Sequence, residues 1–303
     1  MLIYGIIFCN LIEGNILYRR DKMKKIDFKK ILNSKAFNRI VIVICVVTLV
    51  YSLYNIGITI YHSVRNKSMI DDIHAILNND QYEGKSFHDP SFNTLLSKIV
   101  LNESPDNGEG QDEKREVLEK YKGLLMINED IIGWIKVPGT DIDYPIVQGK
   151  DNDYYLNTTH TGEKNRHGAI FMDYRNSKYF DDMNTVIYGH NMRLAPNMFR
   201  PLTKFAQDQE FFNKNRIIQI DSIYGEQKWE IFSAYVTEIN FNYIKRSFAS
   251  PEEFKTFIAA IRERSAFPTD TIVTEHDNIV TLSTCTYEYK DARFVVHAKK
   301  IKE

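Results

Sequence analysis

Cysteine is scarce in this chain, with 3 in 303 residues: Cys9, Cys45 and Cys285. Cys9 lies in the extreme N-terminal stretch and Cys45 inside an apolar run. That leaves Cys285 alone in the part that reads as a folded domain, so no disulfide can form within it. A basic stripe is also missing. The net charge is −1, and the basic residues cluster early, at Arg19, Arg20, Lys22, Lys24, Lys25, Lys29, Lys30, Lys35 and Arg39, against Asp21 and Asp27. The remainder is net acidic, which excludes a nucleic-acid duplex as partner. No internal repeat and no low-complexity block occurs. What remains is ordinary for a globular chain: 43% hydrophobic and 26% charged residues, long enough for one sizeable domain with extra segments.

Long apolar runs are few, and one stands out. No charged side chain occurs between Ile40 and Tyr61, and its core, Ile40 to Val50, is almost wholly apolar. About 22 residues at a rise of about 1.5 Å each give about 33 Å, enough to cross a bilayer core. Tyr51, Tyr54 and Tyr61 suit one lipid–water interface. A buried core helix would need a polar face, which this run lacks. The apolar core is too long for a cleaved signal peptide and no clean cleavage site follows, so an uncleaved single-pass anchor is expected. The basic cluster sets residues 1–39 in the cytoplasm and everything after Tyr61 outside. Residues 1–22 fit this plan poorly, and Met23-Lys-Lys would make a natural start; translation is expected to begin at Met23.

Residues 62–129 read as a helical stalk and linker. Met69, Ile70, Ile73, Ile76 and Leu77 recur at helical spacing, residues 102–111 have the Gly, Pro and acidic make-up of a flexible segment, and a helix is expected over Glu113 to Met126. From residue 130 to 303 the pattern turns to strands. Strands are expected at 131–137, 142–147, 168–172, 185–188, 216–220, 227–236, 278–283 and 293–297, the first ended by the Pro138-Gly139 turn signal. Few helices fall between them, which favours a mainly β fold, a closed or nearly closed antiparallel barrel. Two helices interrupt, at Leu202 to Asn213 and at 251–265. In the second, Ser250 can cap, Pro251 suits the first position and Glu253 completes a capping box, ahead of the stripe Phe254, Phe257, Ile258 and Ile261.

Three residues carry chemistry. Cys285 closes Thr281-Leu-Ser-Thr-Cys285, which sets a thiol at a strand end near a barrel rim. A lone cysteine is more often a small buried hydrophobe. As a nucleophile it would need a neighbouring cation or imidazole, since a free thiol titrates near about 8.5. Arg293 follows on the next strand after a short connection that can bring it back beside Cys285; its fixed charge suits an oxyanion, although an isolated arginine is more often a surface ion-pair partner. His190 ends the run Thr185-Val-Ile-Tyr-Gly-His190, with Gly189 allowing a turn or close approach just before it. His297 reads as structural or solvent-facing.

Taken together, Tyr188-Gly-His190-Asn, then Thr281-Leu-Ser-Thr-Cys285, then Arg293 in Ala-Arg-Phe-Val-Val resemble the signature of the sortase family, in its order, over about residue 130 to the C-terminus. The resemblance implies an eight-stranded sortase-type barrel with Cys285, His190 and Arg293 as catalytic residues. The serine of Thr-Leu-Ser-Thr-Cys, the helical region before the barrel and the helix between late strands resemble class B. This implies a cysteine transpeptidase of the Gram-positive cell wall. It would cut a C-terminal sorting signal of Asn/Ser-Pro-x-Thr type after threonine and pass the acyl group to a peptidoglycan amine. Its partners would be signal-bearing surface proteins and the wall peptide. By the same resemblance Asn152, Leu156, Tyr243, Ile244 and Ser283 line the substrate groove. Class A enzymes use calcium; no matching acidic cluster is found, and neither metal nor cofactor is expected. A secreted cysteine protease, and a non-catalytic anchored barrel that binds a wall component, are the alternative readings.

Overall fold

The computed structural model describes residues 35–78, 115–192, 198–285 and 291–302. The proposed start at Met23, most of the basic cluster and the 102–111 segment lie outside them. The chain divides into two compact units, residues 1–57 and 58–303. Helix α1, Lys35–Leu77, has residues in both. Its first half carries apolar side chains open to the surroundings, such as Ile42, Leu49 and Leu53. It is the one helix among the described residues long and apolar enough to cross a membrane, by length and composition.

In the second unit the end of α1 is not a free stalk. Met69, Ile70 and Ile73 are buried, and Ile70 and Ile73 join the main core, because the helical spacing of these residues makes one apolar face that must be covered. Arg65 pairs with Glu163, and His74 Nε2 lies 2.9 Å from the Asp143 carbonyl. Helix α2 is shorter than expected, Glu119–Leu125. Tyr121 pins it by donating to the buried carboxylate of Asp221 at 2.8 Å.

Eight strands follow: β1 Ile131–Lys136, β2 Asp143–Val147, β3 Ile170–Met172, β4 Asn184–Tyr188, β5 Ile217–Ser222, β6 Lys228–Glu238, β7 Ile279–Cys285 and β8 Ala292–Lys300. They close in the order β1-β2-β3-β4-β7-β8-β6-β5. Each falls on a stretch expected to be a strand, but the barrel is mixed rather than antiparallel: β2–β3 and β4–β7 are parallel pairs. Parallel neighbours need long crossovers. The segments from β2 to β3 and from β4 to β7 are long enough to supply them, whereas the expectation rested on strand count alone. Trp229, Phe294, Leu282 and Ile187 fill the interior.

The expected Leu202–Asn213 helix is broken into a 3-10 turn at Arg200–Thr203, α3 at Lys204–Gln207 and α4 at Gln209–Asn215. Asp208 takes an extended conformation and its carboxylate caps α4 by accepting from Phe211 N at 2.9 Å. Helix α5, Pro251–Glu263, lies in the β6–β7 crossover. Ser250 Oγ accepts from Glu253 N at 3.2 Å, as a cap should, but the Glu253 carboxylate takes the N–H of Ala249 and pairs with Lys245 instead of closing on the cap residue. The stripe Phe254, Phe257, Ile258 and Ile261 covers the outer face of the barrel over Phe232, Tyr235, Ile279 and Val295, a second apolar cluster.

Candidate active site

The site is built from strand register. Tyr188 of β4 pairs with Ser283 of β7, and Gly189 N continues the ladder to the Ser283 carbonyl at 3.1 Å. His190 follows two residues beyond the last paired position of β4; the same register, if extended that far, would bring position 190 level with position 285. On the other side of β7, Cys285 is the Cα partner of Arg293 on β8. Positions 285 and 293 thus meet at the rim where β7 ends and β8 begins, and Arg293 shares its strand face with Val295 and His297, the outer face partly roofed by the β6–β7 crossover.

His190 is half-buried, and its Nε2 lies 2.8 Å from the Leu156 carbonyl. A carbonyl only accepts, so Nε2 carries a proton and Nδ1 is the nitrogen at which the ring gains or loses one. Leu156 ends a 3-10 turn, Tyr154–Leu156. Gly168 lies against that turn at φ 59°, where a Cβ would sit 2.5 Å from the Tyr155 carbonyl and 2.7 Å from that of Leu156. Gly189 matters for close approach: a Cβ there would lie 2.7 Å from the Phe199 ring. Arg293 is half-buried, with Nη1 donating to the Ala292 carbonyl at 3.1 Å, and it joins no ion pair among the described residues.

The residues expected to line the groove fall into two groups. Tyr243 and Ser283 are buried and bonded to each other, hydroxyl to hydroxyl, at 3.0 Å. The backbone around Ile244 is held by Asn184, whose Nδ2 donates to the Lys245 carbonyl at 2.8 Å and to that of Tyr243 at 3.4 Å. Leu156 packs against the core while its carbonyl holds His190. Asn152 stands apart from this group and bonds to Asp173.

Sequence reasoning passed over Asp173 and Asn184. Asp173 directly follows β3 and is fully buried, with its carboxylate bound to Arg175, Asn152 and Tyr188. Burial disfavours its charge, but these donors outweigh that and hold its pKa down to about 2. The spacing Asp173-Tyr-Arg175 just after a strand was the legible signal. His297 is structural and not solvent-facing: it is fully buried between Tyr235 and Thr281, and burial pushes its pKa down to about 3.

A closed mixed barrel of eight strands, with position 285 paired to Arg293 where β7 ends, defines the fold class of the protein. The chain belongs to the sortase family, whose domain model matches residues 135–301. Sortase B of Listeria monocytogenes is 34% identical over 253 residues, 83% of this chain and 91% of that protein. Among solved structures, a Staphylococcus aureus sortase B–substrate complex matches with TM-score 0.58 at 37% identity over 70% of this chain and 91% of that one. A Bacillus anthracis protein similar to sortase B matches with TM-score 0.58 at 42% identity, covering 72% and 100%. The chain is thus a class B, sortase-type cysteine transpeptidase.

Proposed function

We propose that this transpeptidase cleaves an Asn/Ser-Pro-x-Thr sorting signal after threonine, with Cys285 as nucleophile, His190 as proton carrier and Arg293 as oxyanion partner. The reading is supported by the pairing of Cys285 with Arg293 and by the parallel β4–β7 register, which would bring position 190 level with position 285 if carried past Tyr188. The Cys285 thiolate attacks the threonine carbonyl, and the negative charge that develops on oxygen is met by the Arg293 guanidinium. The C–N bond breaks as protonated His190 gives its Nδ1 proton to the leaving amine, leaving a thioester. A peptidoglycan amine then attacks the thioester, neutral His190 takes its proton, and the thiolate departs. Asn152, Leu156, Tyr243, Ile244 and Ser283 form the groove for the signal.

The apolar half of α1 anchors the enzyme in the membrane, N-terminus inside, with residues 130–303 as an extracellular catalytic barrel acting on surface proteins and wall peptide. Full-length protein in detergent, given fluorogenic peptides with Asn-Pro-Gln-Thr-Asn or Leu-Pro-x-Thr-Gly, tests the reading. Cleavage of the Asn-Pro peptide by wild type and not by Cys285→Ala is expected, with an added amine captured on the threonine. Water alone as acceptor would favour a protease; turnover by Cys285→Ala would remove Cys285 from its role.

A further inference from the structure

Asp173 has no place in the chemistry above, yet it bonds to Asn152 of the proposed groove, to Tyr188 ahead of His190, and to Arg175. Its Oδ2 accepts from Asn152 Nδ2 at 3.0 Å, Tyr188 hydroxyl at 3.0 Å and Arg175 Nη2 at 2.7 Å. Its Oδ1 accepts from Arg175 Nε at 2.8 Å and Arg175 N at 3.1 Å. Tyr188 lies two residues before His190 in the same run. The Arg175 carbonyl in turn accepts from Arg246 Nη1 at 2.9 Å, which ties in the crossover that bears Tyr243 and Ile244. With three donors on Oδ2 and two on Oδ1 the carboxylate is saturated and fully buried, so it has nothing to offer a peptide directly.

Its effect must pass through Asn152. The Asn152 Oδ1 accepts from Tyr174 N at 3.1 Å while Nδ2 donates to Asp173. Turning the amide over would set two N–H groups against each other at Tyr174 and two oxygens against each other at Asp173. The amide is therefore locked in one orientation. Among the described residues, one N–H and one oxygen lone pair of this half-exposed side chain have no partner, and the lock fixes the directions in which they point. We propose that Asp173 is a positioning residue for sorting-signal recognition, holding the Asn152 amide in the one orientation that presents its free donor and acceptor to the amide groups of the bound peptide. An ordinary loop anchor would not need a buried charge bonded to the amide of a groove residue; an asparagine here could bond to either face of that amide and would lose the lock.

The inference rests on the proposed groove, and the experiment separates the two. Full-length Asp173→Asn, Asn152→Ala and the double variant are assayed for peptide cleavage in detergent, with the rate of Cys285 alkylation by iodoacetamide measured alongside. Asp173→Asn should raise KM about tenfold, change kcat by less than about threefold and leave alkylation at the wild-type rate. In the Asn152→Ala background the same change should add nothing further to KM. An unchanged KM in Asp173→Asn, or effects that multiply in the double variant, overturns the inference alone. Multiplied effects with a lowered melting temperature would mean that Asp173 supports only the loop. Failure of wild type to cleave any signal peptide would overturn the proposed function and this inference together.

Discussion

Two sets of residues lie along the neighbouring strands β4, β7 and β8. At the rim Cys285 pairs with Arg293, with His190 just beyond the end of β4; the deeper set is the row Val186, Thr281 and His297. Each contains a histidine, and their surroundings make them different chemical objects. His297 is fully buried under α5, between hydroxyls at 2.8 and 2.9 Å. Thr281 Oγ1 donates to Asn184 Oδ1 at 2.7 Å, so it accepts from His297 Nδ1–H, and Nε2 accepts from Tyr235. With both nitrogens committed and its charge suppressed by burial, that ring is a structural cross-link. His190 spends one nitrogen on a carbonyl, and its other nitrogen has no hydrogen-bond partner among the described residues. Burial and a second hydrogen-bond partner set the His297 ring apart from that of His190.

The sharpest way to break the comparison is to exchange the two kinds of loss. Cys285→Ala should lower kcat/KM by about 10³–10⁴, His190→Ala by about 10²–10⁴ and Arg293→Ala by about 10²–10³, with melting temperatures within about 3 °C of wild type. Steady-state kinetics and calorimetry check both halves. His297→Ala should do the reverse. Leaving Tyr235 and Thr281 without their partner, and a void beneath α5, should cost about 2–4 kcal/mol in denaturant titration, with kcat of the folded enzyme within about threefold. Rim variants that melt early, or a His297 variant that is stable and inactive, would undo the distinction.

pH sharpens it. The unfolded chain protonates its histidines near about 6.5, but burial holds His297 and His160 down to about 3. Their contribution is fully present above about pH 6.5 and is lost as pH falls from there towards about 3, at up to about 1.4 kcal/mol per pH unit for each. Melting temperature should accordingly decline below about pH 6.5, and less steeply in His297→Gln. A flat profile between pH 6.5 and 4 would show that neither ring is held neutral. A smaller effect is expected at Gly189→Ala, whose Cβ would meet the Phe199 ring at 2.7 Å; about 1–3 kcal/mol of stability should be lost, with a fall in kcat as His190 shifts. Tyr235→Phe, which removes one hydroxyl from His297, should cost about 1 kcal/mol.

Much of this was legible beforehand because it is local. Strand periodicity and turn residues marked all eight strands, the apolar stripe and cap marked α5, and the motifs bearing His190, Cys285 and Arg293, in the order of the family signature they resemble, marked the candidate site. Asp208 was missed as a cap because helical periodicity runs on through it, and only its extended backbone reveals the break.

The amino-acid order by itself determined that eight strands form and roughly where each lies, and which stretch is apolar enough to span a bilayer, and it named the residues that could react. It could not decide that β4 lies parallel to β7, that Ile70 and Ile73 of α1 seal the barrel core, that His297 is buried, or that Asp173 clasps Asn152. Those depend on contacts between segments far apart in the chain. Periodicity reports which face of an element is apolar, and only closure of the barrel decides what that face meets.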